Sequence, residues 1–392
     1  MQHYRYLIVG GGMAADAAAR GIREVDDTGT VGLIGAEPHP PYNRPPLSKA
    51  LWKGAPLESI WRGTEATKAQ MHLGRKVAAL DLAGKKVTDD LGQEHGFDKL
   101  LLATGGTPRR MPTTSDRVLY FRTLDDYQRL RGLIGPEHRL AVVGGGFIGT
   151  EIAAALALNG QAVTLVFPEQ TLGARPFPAD LSAFLTGYYR EKGVELMAGE
   201  TVAAVEDRGP VLVVKTRSGK QVAVDGVVAG LGIRPNDELA RAAGLEVDDG
   251  VVVDEHLRTR HPDVYAAGDV ARFPSPALGE RLRVEHEDAA NTTGRLAGRS
   301  MAGVPSPYRE LPFFYSDLFD LGYEAVGILD ARLETVADWK EPFREGVVYY
   351  LRDGRVRGVL LWNTWGQVDA ARRLIGEPGP FRPADLKGRL PA

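Results

Sequence analysis

The sequence predicts an α/β protein: two Rossmann-like, three-layer ββα domains followed by a small α+β domain near the C-terminal end. Three observations predict it. Tyr6-Leu-Ile-Val-Gly10-Gly11-Gly12-Met-Ala-Ala15 joins a β-rich apolar run to a glycine cluster and a small-residue helix pattern, Ala14 to Ile22. Leu140-Ala-Val-Val-Gly144-Gly145-Gly146-Phe147-Ile148-Gly149 repeats that arrangement with all three glycines. From Leu311 the composition changes, as aromatic residues gather on short alternating runs.

The 392 residues exceed what one hydrophobic core serves, so two or three domains are expected. A hydrophobic content of 43% and a charged content of 25% read as an ordinary soluble globular chain. The net charge of −3 points to neither nucleic acid nor a membrane surface as partner. No apolar run approaches the roughly 18 residues of a membrane span. The first strand starts close to Met1 and leaves no room for a leader, so a cytoplasmic location is the default expectation. The chain has no cysteine. That excludes disulfides, thiolate-held zinc, cysteine-held iron–sulfur clusters and thiol nucleophiles, so redox chemistry must run on a bound organic cofactor.

In the first fingerprint Gly10 permits the tight turn, Gly12 lets a pyrophosphate approach the backbone, and Ala15 lets the helix lie close on the strand. The helix N–H groups then face the phosphates. A second apolar run, Val31 to Ile34, leads to Glu37, placed to hold a ribose diol. The proline-rich stretch 38–49 is a stiff loop whose Arg44 and Lys49 are either solvated cations or face an anionic ligand. Short strands follow at Val77 to Leu82 and Lys86 to Thr88, and an apolar strand from Phe97 ends in Thr104-Gly105-Gly106.

The second fingerprint decides for dinucleotide binding. Ile148, Ile152, Ala155 and Leu156 fall on one helical face, Asn159-Gly160 ends the helix, and the strand Ala162 to Phe167 leads to Glu169. A carboxylate there accepts hydrogen bonds from an adenosine ribose diol and repels a 2′-phosphate, favouring NADH over NADPH, although Arg175 lies near. A helix near Asp180–Lys192, three strands and Gly226 to Asn236, with Gly232, complete this part. Thr259 to Asp269 is a strand ending in Gly-Asp. Val284-Glu285-His286-Glu287-Asp288 opens a helix with an acidic first turn. His286 has no second histidine at metal-ligand spacing. Alternating strands at Val347–Leu351 and Val356–Leu361 and a helix at Gln367–Ile375 form the last domain.

Tyr42-x-Arg44-Pro-Pro-Leu-Ser-Lys49 resembles a loop of the FAD-dependent pyridine nucleotide-disulfide oxidoreductase superfamily, in the branch of bacterial ferredoxin reductases and apoptosis-inducing factor. Phe167-Pro-Glu169, Gly268-Asp269, Phe314-Tyr315-Ser316-Asp317-Leu318 and Leu361-Trp362-Asn363 are similar to it as well, so the resemblance runs from Tyr6 to about Ile375. It implies FAD held by Gly10, Gly12, Ala14, Ala15, Glu37, Arg44, Val77, Arg122, Asp269 (on the ribityl chain), Glu285 and His286. Lys49, paired with Glu151, stands at the flavin's reactive edge, and Tyr315 covers the flavin. NADH goes to Gly144, Gly146, Phe147, Ile148, Gly149, Glu169 and Gly232, with Asn363 near the nicotinamide. The domains implied are 1–118 with 246–310 for FAD, 119–245 for NAD(H), and 311–392. The expected function is a diaphorase-type NADH dehydrogenase that passes hydride to flavin N5 and electrons onward without a redox disulfide. The alternatives are an NADH:ferredoxin reductase with an iron–sulfur partner, and an NADH-responsive interaction protein. A small molecule or an iron–sulfur protein is the acceptor, and a homodimer is compatible with the reading.

Overall fold

The computed structural model describes residues 1–113 and 115–390. By contacts the chain divides into two compact units. The first comprises Met1–Arg44, Leu57–Thr107 and Arg234–Pro312; the second comprises Pro45–Pro56, Pro108–Ile233 and the chain from Phe313.

The first unit is organised on the strand Gln2–Val9, flanked in parallel by Val31–Gly35 and Glu94–Leu102. Gln70–Leu73 and Val264–Ala266 extend the parallel part, and Lys86–Asp89 with Val77–Asp81 adds an antiparallel margin. Both faces of the parallel strands are covered, which is why Tyr6 to Val9 and Leu100 to Leu102 are apolar without alternation. The first fingerprint helix (Met13–Arg23) packs on the helix Glu287–Met301 backbone to backbone. A Cβ on Gly294 would stand 2.4 Å from the Ala14 carbonyl oxygen, and one on Gly298 2.1 Å from that of Ala18. The small-residue pattern therefore serves helix contact as well as the fingerprint.

In the second unit the strand Arg139–Val143 is central to a five-stranded parallel sheet. Ala162–Phe167 and Glu195–Ala198 lie on one side, Gly226–Ala229 and Val118–Tyr120 on the other. A three-stranded antiparallel sheet (Val202–Arg208, Val211–Thr216, Gln221–Val224) follows. The last part is a five-stranded antiparallel sheet in the order Phe313–Leu318, Leu321–Gly327, Arg355–Trp362, Glu345–Arg352, Glu334–Glu341, with the helix Val368–Gly376 against it. Its aromatics Tyr323, Tyr349, Tyr350 and Trp362 are core.

The chain crosses to the second unit at Thr107–Pro108 and returns at Ile233–Arg234, earlier than the expected 118 and 245. Val118–Tyr120 pairs with Gly226–Ala229 and so is an edge strand of the second sheet. The segment Pro45–Pro56 belongs to the second unit although its chain neighbours belong to the first. Among the described residues no helix is long and apolar enough to cross a membrane.

Candidate functional site

In the first unit the strand Gln2–Val9 delivers Gly10 with φ at +135°, where a Cβ would stand 2.1 Å from the Ala103 carbonyl oxygen, so only glycine fits. Gly12 caps the fingerprint helix; its carbonyl accepts the Ala15 N–H at 3.1 Å. Among the described residues, and apart from its own chain neighbours, the atom that a Cβ built on Gly12 would approach is the Arg44 guanidinium nitrogen, at 4.0 Å. A cation thus faces the cradle where a pyrophosphate would lie.

Arg44 is also bonded to Glu37, whose other oxygen accepts the Tyr42 hydroxyl at 2.5 Å, and its guanidinium lies 5.1 Å from the Tyr42 ring centre. Burial works against the charge of Arg44, but Glu37, Tyr42 and Asp269 outweigh it and raise its affinity for the proton. Asp269 sits on a short turn, Gly268–Val270, and a Cβ on Gly268 would meet the Ala14 side chain at 2.9 Å, so fingerprint helix and Gly-Asp turn come together. His286 caps the helix Glu287–Met301; burial pushes it down to about 4, with the Asp269 charge opposing. Arg44, Asp269 and His286 therefore form one electrostatic cluster. Glu285 pairs with Arg283 at 3.0 Å. Val77 is a core residue of its strand.

In the second unit the second fingerprint has the same construction. Gly144 has φ at +111°, and a Cβ there would meet the Gly230 carbonyl oxygen at 2.3 Å. A Cβ on Gly149 would meet that of Gly144 at 1.8 Å, whereas one on Gly146 would meet nothing within 4 Å. The helix Phe147–Leu158 buries Ile152, Ala155 and Leu156. Ile148, expected on that apolar face, stands exposed with Phe147 in the first turn, and the Phe147 ring lies 5.1 Å from that of Phe314.

One turn into this helix Glu151 is buried, at 3% exposure, and accepts three hydrogen bonds: from Lys49 Nζ at 2.6 Å, Ser48 Oγ at 2.6 Å and Ser316 Oγ at 2.7 Å. Three separate stretches of the second unit converge there. Lys49 Nζ lies 5.2 Å from the centre of the Tyr315 ring. Burial and the Glu151 charge hold the phenols of Tyr189 and Tyr323 protonated, well above their ordinary value. Neither serine is among the residues the sequence singles out, although both stand inside the family-like motifs, beside Lys49 and Tyr315. The signal is a hydroxyl next to each site residue.

Glu169 is paired with the exposed Arg175 at 2.8 Å. Gly232 has φ at +75° on open surface. Arg122 precedes the helix Leu124–Gly132, its backbone N–H bonded to the Asp126 carboxylate at 3.1 Å. Asn363 is engaged by the backbone at both ends of its amide: Oδ1 accepts the Gly322 N–H at 2.6 Å and Nδ2 donates to the Arg344 carbonyl at 2.9 Å. Its positive φ, +47°, is what a turn-holding asparagine adopts.

A sequence model of the pyridine nucleotide-disulphide oxidoreductases matches residues 4–294. The chain belongs to that family. A second model, for the C-terminal region of mitochondrion-associated apoptosis-inducing factor, matches residues 297–342 and 337–377. Apoptosis-inducing factor 1, mitochondrial, from Dictyostelium discoideum is 35% identical over 96% of this chain and 79% of its own. The anthranilate 1,2-dioxygenase system ferredoxin–NAD(+) reductase component of Burkholderia cepacia is 34% identical over 97% of both chains. Among solved structures, the covalent putidaredoxin reductase–putidaredoxin complex matches with a TM-score of 0.90 at 32% identity, covering 98% of this chain and 95% of that one.

This member of the oxidoreductase family is a flavoprotein electron-transfer enzyme of the ferredoxin-reductase branch, with FAD and NAD(H) as cofactors. The glycine cradles fit them: Gly12 opens toward one cation, and Gly146 has free space where a pyrophosphate would approach. The expectation of a cytoplasmic location is overturned by relatives that are mitochondrial by name, the Dictyostelium protein and a 31% identical one from Drosophila melanogaster. That expectation rested on apolar patterning and on an early first strand, and neither distinguishes one compartment from another.

Proposed function

We propose that this chain oxidises NADH and passes the electrons, through FAD, to a small iron–sulfur protein. The observation that carries the reading is near full-length likeness to reductases whose names state such a partner: a ferredoxin–NAD(+) reductase component over 97% of both chains, and putidaredoxin reductase bound to putidaredoxin. This favours the ferredoxin-reductase alternative over the diaphorase-type dehydrogenase expected first.

Bound FAD supplies what a chain without cysteine cannot: acceptance of a hydride and release of electrons. The protein's part is binding and electrostatics. In this reading FAD belongs to the first unit, and NAD(H) to the part of the second unit that carries the second fingerprint, Pro108–Ile233. Gly144, Gly146 and Gly149 seat the NADH pyrophosphate at the helix N-terminus, and Glu169 accepts the ribose hydroxyls. Gly10, Gly12 and Arg44 seat the FAD pyrophosphate, and Asp269 accepts from ribityl hydroxyls. Lys49 presents a fixed ammonium whose charge Glu151 balances, so the attraction of the pair offsets the cost of keeping a cation in a largely dry place. His286, neutral at pH 7, leaves the positive end of its helix as the local field.

Anaerobic stopped-flow reduction by NADH, followed by mixing with a two-iron ferredoxin, a quinone or oxygen, tests the reading. Fast reoxidation by the ferredoxin alone is expected. Reoxidation faster with quinone or oxygen returns the first expectation, the diaphorase. A long-lived reduced form that resists every acceptor means an NADH-responsive interaction protein instead.

A further inference from the structure

Asp16 interrupts the alanine-rich face of the first fingerprint helix, Met13-Ala-Ala-Asp16-Ala-Ala-Ala, and is fully buried. A carboxylate in that position needs compensation. Its Oδ2 accepts from Arg62 Nε at 2.7 Å and from Arg20 Nε at 3.0 Å, and its Oδ1 accepts from Thr64 Oγ1 at 2.7 Å. Burial alone would push this carboxyl up, but the three donors outweigh it and hold it below the ordinary aspartate value.

Arg62 is the hub of this network. Its guanidinium, 14% exposed, reaches Asp16 through Nε, Asn43 Oδ1 through Nη1 at 2.6 Å and Asn291 Oδ1 through Nη2 at 2.9 Å. Each acceptor lies on a different element. Asp16 is on the fingerprint helix that starts at Gly12. Asn43 is the residue before Arg44. Asn291 is on the helix capped by His286. The backbone repeats the link, with Asn43 N–H on the Ile60 carbonyl at 2.8 Å and Arg62 N–H on that of Pro41 at 3.4 Å. Arg20 adds a bond to the Arg62 carbonyl.

We propose that the buried Asp16–Arg62 pair is a positioning device for FAD: it fixes the loop at Asn43 so that Arg44 stands over the Gly12 cradle. The planar fork of one guanidinium sets the distances between helix, loop and second helix together, which a flexible ammonium would not do. Asp16 and Arg62 are positioning residues and touch no cofactor. The inference rests on the reading of Arg44 as an FAD contact.

The test is the dissociation constant of FAD from the apoprotein, read by quenching of flavin fluorescence, in wild type, Asp16→Asn, Arg44→Ala and the double variant. Far-UV circular dichroism and NAD+ affinity control for folding. Asp16→Asn is expected to weaken FAD about tenfold, the scale of losing a supporting partner. In the Arg44→Ala background the same change is expected to alter affinity less than about twofold, because it acts through Arg44. A merely structural role would weaken FAD equally in both backgrounds, and that result overturns the proposal, as does an unchanged affinity in Asp16→Asn. If Asp16→Asn does not fold, Asn43→Ala keeps the buried pair and removes only the side-chain bond from Arg62 to the loop. It is expected to weaken FAD about threefold in wild type and not in Arg44→Ala, and equal weakening in both overturns the proposal. Unchanged affinity in Arg44→Ala alone overturns the Arg44 reading and the inference with it; normal weakening there with no effect of Asp16→Asn overturns the inference only.

Discussion

Replacing Lys49 by methionine keeps most of the apolar stem and removes the charge, leaving Glu151 at 3% exposure with the Ser48 and Ser316 hydroxyls. At 2.6 Å the pair attracts with about 6 kcal/mol gross if an effective dielectric of ~20 applies. Desolvation of both ions offsets much of that, and breaking a buried pair from one side costs about 3–5 kcal/mol. Lys49 retains 12% exposure, so the lower end, about 3 kcal/mol, is expected. With an unfolding entropy of roughly 0.8 kcal/mol/K for a chain this long, the melting temperature should fall by about 4 °C. Differential scanning calorimetry measures it. Glu151→Gln should cost a similar amount, and the double variant should cost less than the sum by about 2 kcal/mol, because no charge is left stranded. A shift under about 1 °C in Lys49→Met, or strict additivity in the double variant, refutes the idea that Glu151 depends on this ammonium.

The second fingerprint offers a contrast between neighbouring glycines. Gly149→Ala places a methyl 1.8 Å from the Gly144 carbonyl oxygen and should destabilise the second unit by several kcal/mol in a denaturant titration. Gly146→Ala meets no atom within 4 Å at an ordinary φ of −82°, so stability should hold while KM for NADH rises about tenfold through loss of pyrophosphate room. Glu169→Arg removes the ribose acceptor and places a second cation beside Arg175, so the ratio of kcat/KM for NADPH over NADH should rise at least tenfold; an unmoved ratio removes Glu169 from the site. His286 titrates at about 4 in the folded chain against about 6.5 unfolded, so the unfolded chain holds more protons between those values. Stability should therefore fall as pH drops from about 6.5 to 4, by up to ~1.4 kcal/mol per pH unit, and level off below; His286→Gln should flatten that slope in urea titrations.

The parts of this fold legible in the sequence are those written locally. Each fingerprint is a strand, a turn that only glycine can make and a helix N-terminus, all within ten residues, and each formed where the pattern placed it. Long-range features were legible only where a motif carried them, as with Lys49 and Glu151, which are 102 positions apart. Ile148 shows the limit of periodicity: it has the right phase for the apolar face, but it lies in the first turn, beyond the reach of the core. Glu285 and Asn363 show what a motif match leaves open: it gives the residue type, whereas their protein contacts, the Arg283 side chain and the backbone of Gly322 and Arg344, come from the fold. The hydroxyls of Ser48 and Ser316 were legible only as neighbours of Lys49 and Tyr315, because a serine has no periodicity and no charge of its own to mark it.

Pro45–Pro56 joins the second unit directly after Arg44, the last residue of the first unit's opening stretch. Three prolines at 41, 45 and 46 stiffen the chain as it leaves the first unit, and the short helical turns Pro45–Ser48 and Ala50–Lys53 join the second. Within the second unit the segment is tied by side chains rather than by a sheet: Ser48 and Lys49 to Glu151, Lys53 to Asp317 at 2.7 Å, and the Trp52 ring edge-on to Tyr127. The same stiff stretch thus carries Arg44 at one end, held over the Gly12 cradle in the first unit, and Lys49 five residues on, held by Glu151 in the second. Lengthening the stretch by one glycine after Pro46 should therefore separate the two roles. Melting temperature should drop by the few degrees expected for Lys49→Met if Lys49 loses Glu151, while FAD affinity, governed by Arg44 and its Asn43–Arg62 tie, should change less than about twofold. A large loss of FAD affinity with an unchanged melting temperature would reverse that assignment of roles.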